Sequence, residues 1–338
     1  MAVSISNATD SIYVSDNTIN GYFNGLFVEN VYKGIFRKNK INPDSLFLMF
    51  KGIVAQNADS CIFTSNEIFK ADSSISISYS PKVTISANAI DSSLTVGIAL
   101  AHSDSSVVSS NGITRMPIGI VIDNTKNVLI SGNTLSRHSI SGIDLLVGCD
   151  SNYLYENYIG AGFVESEAKS KGVGMRVMSS YNLIGGFKDS ANVIFNNELG
   201  GIIVDGGVEN RITFNEIFAN DTTVEAPSVL AIKHLNEGNN LKAKPEILRY
   251  TTLIKDSKYE VFGVSEPFDS VHIYRTEGFY ESARYFVTAT IADGNGNWSA
   301  IIDTTLKLFS SKRLCVTIHL HLFQQLPMQK TIPQNYLI

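Results

Sequence analysis

Cysteine is nearly absent from this chain. Its three copies, Cys61, Cys149 and Cys315, are far apart and odd in number, so they read as reduced or buried thiols rather than as a disulfide frame, a zinc site or a nucleophile. Charge is sparse as well: 17% of residues are charged and the net charge is −5. No Lys/Arg run is long enough to follow a phosphate backbone, so no nucleic acid is expected as partner, and anionic membrane surfaces are disfavoured for the same reason. No apolar run reaches the ~20 residues of a membrane span, and the longest, Leu314–Phe323, is broken by His319 and His321. The opening stretch Met1–Asn7 has neither a basic region nor a continuous apolar one, so it is not a signal peptide and already reads as repeat. The expectation is a chain that starts inside a solenoid, as a piece of a longer exported protein or one exported by another route.

What the chain does have is apolar residues, 44% of 338, enough for one long domain and a smaller one. They follow two short words in alternation. The first is Asn-x-[Ile/Leu], at Asn17, Asn39, Asn66, Asn88, Asn111, Asn133, Asn157, Asn197 and Asn215, with an apolar residue three positions before each: Val14, Phe36, Phe63, Ile85, Val108, Ile130, Leu154, Ile194 and Ile212. The second is Gly-[apolar]-x-[apolar], beginning at Gly25, Gly97, Gly119, Gly142, Gly174 and Gly201, with weaker copies at Gly52 and Ser74. Successive asparagines are separated by 22, 27, 22, 23, 22, 24, 40 and 18 residues, so the constant part is about 22.

Each word spaces its apolar residues two apart, the period of a strand, and each is too short to bury a face alone. Stacking coil upon coil buries them in a shared tubular core. About 22 residues accommodates two or three short strands with tight turns, and nothing between the words shows a helical stripe. The glycine is expected to open a strand at positive φ, and the asparagine to end one in the left-handed region and to hydrogen-bond to its equivalent in the next coil. A column of asparagines repeated in every coil is structural rather than catalytic. The leucine-rich-repeat word is absent, and a propeller would need blades twice as long with more tryptophan than the single Trp298.

These words resemble the right-handed parallel β-helix repeats of the pectate-lyase-like superfamily, including its periplasmic-copper-binding and carbohydrate-binding modules. The resemblance covers residues 3–220 and implies an all-β fold: a right-handed, single-stranded parallel β-helix followed by a small antiparallel sandwich. The expected domains are the β-helix at 1–220, a cap or linker at 221–256, a sandwich at 257–318 and an irregular tail at 319–338. The strand-like runs Tyr259–Val264, Ser270–Tyr274, Tyr285–Ile291 and Asn297–Ile302, with a hairpin signal at Asp293–Gly296, resemble a bacterial immunoglobulin-like module. From Thr304 onward there is no Asp, Glu or Gly, which suggests an aberrant terminus and a sandwich short of one strand.

In pectate-lyase-like enzymes a base stands beside carboxylates that bind a cation or neutralise the sugar acid, while related hydrolases cluster aspartates. No Asp-Asp, Gly-His-Gly or Arg-x-Lys word occurs. The best constellation comes from register: the x position of the glycine word points outward, giving the column Phe27, Val54, Ser76, Ala99, Val121, Asp144, Arg176 and Ile203, and the position two further on adds Asp123 and Asp205. Asp123, Asp144, Arg176 and Asp205 are therefore the candidate catalytic residues, with the solvated ion pair Asp144–Arg176 as the plainer alternative. No cofactor is expected, apart from a calcium ion if the protein is a lyase. His102 and His138 read as surface turn histidines. Tyr153, Tyr155, Tyr158 and Phe163 could stack on sugars or pack between coils. The insertion Gly160–Lys171 and the irregular Leu183–Lys188 mark where a binding surface would form. The expected role is an exported or cell-surface scaffold for polysaccharide or cell-surface glycan, without membrane insertion. The rival is a polysaccharide lyase, epimerase or hydrolase. The sequence gives no oligomeric state.

Overall fold

A computed structural model describes residues 3–9, 11–20, 23–42, 48–160, 169–220, 231–243, 245–253, 258–275, 283–303 and 314–319, the last by backbone alone. Nine successive coils each contribute one strand to each of three parallel sheets among the described residues. The first sheet has ten strands among the described residues, from Val3–Ala8 to Ile232–Leu235; the second has nine, from Tyr13–Ser15 to Arg211–Thr213, and the third nine, from Thr18–Ile19 to Glu216–Phe218. Within each sheet successive coils are neighbours. This is the right-handed parallel β-helix of the resemblance, in the sense that parallel crossovers take.

The register explains the words. Except at Asn197, the apolar residue three before the asparagine is the middle of a second-sheet strand, and the one two after it belongs to the third sheet, so Phe36, Phe63, Ile85 and Val108 stack in one file and Ile41, Ile68, Ile90 and Ile113 in another. Ile98, Ile120 and Ile143 complete the core from the first sheet, and all of these side chains are buried. At ~25 cal/mol per Å2 of apolar area, this continuous core is what makes coils stable that could not fold singly.

Two expected local reasons are corrected. The glycines of the second word do not have positive φ. They are required by space, since a Cβ on Gly97 would lie 2.7 Å from the Gly119 carbonyl oxygen and 2.7 Å from Ile113 Cγ2, and Gly119 and Gly142 are as tightly placed. Nor do the column asparagines adopt the left-handed conformation; the residue before them does, as at Lys38, Ser65, Ala87 and Ser110. The asparagine itself forms the ladder. Asn88 Nδ2 donates to Asn111 Oδ1 at 2.9 Å and to the Phe63 carbonyl at 2.9 Å, and its own Oδ1 accepts from the backbone N–H and Nδ2 of Asn66.

That ladder runs Asn17, Asn39, Asn66, Asn88, Asn111, Asn133, Asn157, Asn192, Asn215. Asn192, not Asn197, follows Asn157, with separations of 35 and then 23. Ile194, which precedes Asn197, lies in the third sheet instead of the second, so the same spelling recurs one wall later. Asn197 pairs with Asn220 in a shorter ladder, and Asn152, Asn182 and Asn210 form another.

Two three-stranded antiparallel sheets follow: Glu246–Leu253 with Lys258–Val264 and Asn297–Asp303, and Tyr285–Ile291 with Ser270–Arg275 and Leu314–His319. The expected hairpin at Asp293–Gly296 is corrected, because the strands on either side lie in different sheets; the Asp293 carboxylate still ties the turn by accepting the N–H groups of Asn295 and Asn297. The segment expected as linker is divided, giving Ile232–Leu235 to the β-helix and Glu246–Leu253 to the small unit. The run expected to leave a strand missing supplies Leu314–His319, paired along Ser270–Arg275; residues 304–313 and 320–338 lie outside the described residues. Trp298, Val261, Val271 and Ile273 form this unit's own core. It meets the β-helix where Ile217 and Ala283 exchange backbone hydrogen bonds of 2.8 Å, beside the ring contacts of Phe214 with His272 and Phe286. The last strand of the third sheet therefore has a pairing partner on its outer edge, which blunts it against further pairing.

Candidate functional site

The outward column of the first sheet has the expected register: Val121 pairs with Asp144, Asp144 with Arg176 and Arg176 with Ile203. Asp123, Asp144, Arg176 and Asp205 stand on four successive strands, but only the middle two touch. Arg176 Nη2 donates to Asp144 Oδ2 at 2.6 Å. Asp123 and Asp205 are each displaced two residues along their strands, and they lie three coils apart, roughly 14 Å at ~4.8 Å per coil. Asp205 accepts a 2.5 Å hydrogen bond from Asn236 Nδ2 instead.

The solvated ion pair is corrected on one side. Asp144 points away from the core yet is fully buried, at 0% exposure, in a strand buried at every position, whereas the Arg176 side chain is 35% exposed. Asp144 Oδ1 and Arg176 Nε have no hydrogen-bond partner among the described residues. A carboxylate out of water needs its cation, since removing one member strands the other.

His138 is not a surface histidine: it is 1% exposed, and burial holds its imidazole down to about 4, against contacts with Asn197 and the Val173 carbonyl that pull the other way. His102 is exposed and stacks on Tyr79, with centroids 4.8 Å apart and planes at 6°. Tyr158 packs edge-to-face on Phe195 between coils, Tyr153 is exposed, and burial raises the Tyr155 phenol. Phe163, with most of the insertion, lies outside the described residues.

Sequence reasoning missed a second feature of this sheet. At or just past the end of the first-sheet strand, a left-handed, exposed residue recurs in six consecutive coils: Asn7, Asn30, Asn57, Tyr79, His102 and Asn124. Asn30 Nδ2 donates to Asn7 Oδ1 at 2.9 Å and Asn57 Nδ2 to Asn30 Oδ1 at 3.1 Å. For Asn30, Asn57, Tyr79, His102 and Asn124 the signal was present as an offset of five from the first residue of the glycine word, Ser74 standing for glycine before Tyr79.

With the fold and this face described, the chain is a parallel β-helix repeat protein. Residues 2–163 match the family model described as periplasmic copper-binding protein (NosD). No curated protein matches the chain. Among solved structures, XylC in complex with xylose is 10% identical with a TM-score of 0.39, over 92% of this chain and 62% of that one, so the chain spans less than two thirds of its length. The tailspike of E. coli bacteriophage HK620 in complex with a hexasaccharide is 8% identical with a TM-score of 0.35, over 92% and 74%. The enzymatically active domain of bacteriophage CBA120 tailspike protein 2 is 8% identical with a TM-score of 0.36, over 96% and 73%.

Among the described residues, the donors are not gathered into a set that fits the copper named in that family description. Copper sites gather thiolate, thioether or imidazole ligands. Cys61 and Cys149 are separately buried with their thiols pushed up to about 11, each donating to a backbone carbonyl, while His138 is enclosed with both ring nitrogens unpartnered among the described residues and His102 is exposed against the Tyr79 ring. Among the described residues, no group of three His, Cys, Asp or Glu side chains is placed to hold a metal, and no helix is long and apolar enough to cross a membrane.

Proposed function

We propose that this protein is an extracytoplasmic β-helix that binds polysaccharide along the edge of its first sheet, with the small antiparallel unit, read as immunoglobulin-like, as a spacer. The supporting observation is the exposed ladder Asn7, Asn30, Asn57, Tyr79, His102, Asn124. It offers amides that donate and accept, and stacked rings, over roughly 24 Å at ~4.8 Å per coil. A periodic edge suits a periodic polymer. An extracytoplasmic location is supported by the match to a family described as periplasmic.

The second reading, a lyase, epimerase or hydrolase using Asp144, Arg176, Asp123 and Asp205, draws on the unpartnered Asp144 Oδ1 beside a guanidinium. Binding is preferred because a carboxylate with no exposure does not meet a substrate, and because the other two aspartates are displaced from it. Wild-type protein is screened against neutral and acidic polysaccharides for retention, for new reducing ends and for unsaturated product. Retention without product supports binding. Product formation that Arg176→Ala abolishes overturns it in favour of the enzyme.

A further inference from the structure

The third sheet carries an open groove on its outer face, away from the edge ladder and the ion pair, with a volume of about 560 Å3. That lies within the ~300–1,000 Å3 typical of ligand sites. Two outward files line it in register. One is Glu67, Ala89, Gly112 and Thr134; the other is Phe69, Asp91, Thr114 and Ser136. The floor is made of small residues, and at Gly112 a Cβ would meet nothing within 4 Å. This contrasts with Gly97 and Gly119 of the first sheet, where a Cβ collides with the next coil. Space inside the tube forces those glycines; Gly112 is free of that constraint and leaves the groove open.

The polar groups are preset. Ser136 Oγ donates to Thr114 Oγ1 at 3.0 Å, which forms a hydroxyl row on adjacent coils. Asp91 is gripped by both arms of Arg115, with Nε on Oδ1 at 2.7 Å and Nη2 on Oδ2, and Ser92 Oγ adds a 3.0 Å bond. Oδ1 is filled by two donors, and Oδ2 keeps a lone pair for a ligand hydroxyl. Phe69 supplies an apolar rim. Charge decides the class of ligand: Asp91 is neutralised by Arg115 and Glu67 faces Lys40 at 3.8 Å, so each acid has its own cation and the wall carries no excess of either sign. An anionic or cationic polymer would lose hydration without a counter-charge.

We propose that this groove is a subsite for a neutral oligosaccharide, separate from the edge ladder. It rests on the proposal that the protein binds polysaccharide, and adds where a segment of the chain sits and what charge it has.

Gly112→Tyr tests it, because the added ring fills the groove at a strand position where tyrosine is well tolerated. Ala89→Tyr, on the next exposed rung of the same file, is a second route should the first variant fail to fold. Mobility in native gels containing galactomannan (neutral) or polygalacturonate (acidic) is compared with thermal unfolding. The expected result is wild type retarded by galactomannan, and a folded Gly112→Tyr or Ala89→Tyr weakened by about tenfold. If both filled variants bind galactomannan as wild type does while Tyr79→Ala weakens it, the groove is overturned and the edge reading stands. Retardation by polygalacturonate alone overturns the neutral assignment. Wild type retarded by neither polymer overturns both.

Discussion

The longest asparagine ladder among the described residues is sealed between the second and third sheets, and another runs on an edge of the first. In the inner ladder, all members except Asn17 are buried, and from Asn39 to Asn192 each amide binds the next asparagine and a strand carbonyl of the previous coil. In the outer ladder, Asn7, Asn30 and Asn57 bond to one another and are otherwise in water, and the file goes on as Tyr79 and His102. Asparagine and the stacking period occur in both, so neither separates structure from recognition. Exposure does. A buried amide that loses its partner leaves polar groups unsatisfied, whereas an exposed one turns to water.

The largest effect is expected at the inner ladder. Asn111→Ala strands the Asn88 backbone N–H and takes a side-chain donor from both the Ile85 carbonyl and Asn133 Oδ1, which should cost about 3 kcal/mol. Denaturant unfolding compares it with Asn57→Ala, for which a change within about 0.5 kcal/mol is expected. Equal costs would erase the distinction between the ladders.

The next effect separates buried from exposed histidine. His138 has a folded pKa of about 4 against an ordinary 6.5, so the unfolded chain takes up its proton first as pH falls. Stability is complete above roughly pH 6.5 and declines toward pH 4, by about 3 kcal/mol in total. His234, whose pKa burial also lowers, acts in the same direction. Unfolding midpoints across this range should slope less in His138→Gln, and an unchanged slope would place the proton uptake elsewhere.

The smallest effect on stability, and the sharpest on function, is expected at the edge. Tyr79→Ala and Asn57→Ala should unfold like wild type while polysaccharide retention weakens severalfold. Retention unaltered in both would leave the outer ladder without a role.

The regular coils were legible because interior positions repeat: Phe36, Phe63 and Ile85 obey one offset from the asparagine and Ile98, Ile120 and Ile143 one from the glycine. Legibility stopped where a spelling could occupy two walls, as at Asn192 and Asn197. It stopped again on outer faces. The register of Asp144 and Arg176 was readable and the burial of Asp144 was not, nor was that of His138. The edge ladder had a fixed offset yet no common residue type, so a search for recurring words passed over it.

The sequence by itself determined the period, the walls and the apolar files, because a side chain pointing into a stacked tube has the same neighbours in every coil. Only the tertiary structure decided which outward residues meet water, which glycines are crowded and which open a groove, and where the inner ladder resumes after the insertion. Those depend on what lies across a coil's outer face and on chain lengths between walls, and a two-residue alternation encodes neither.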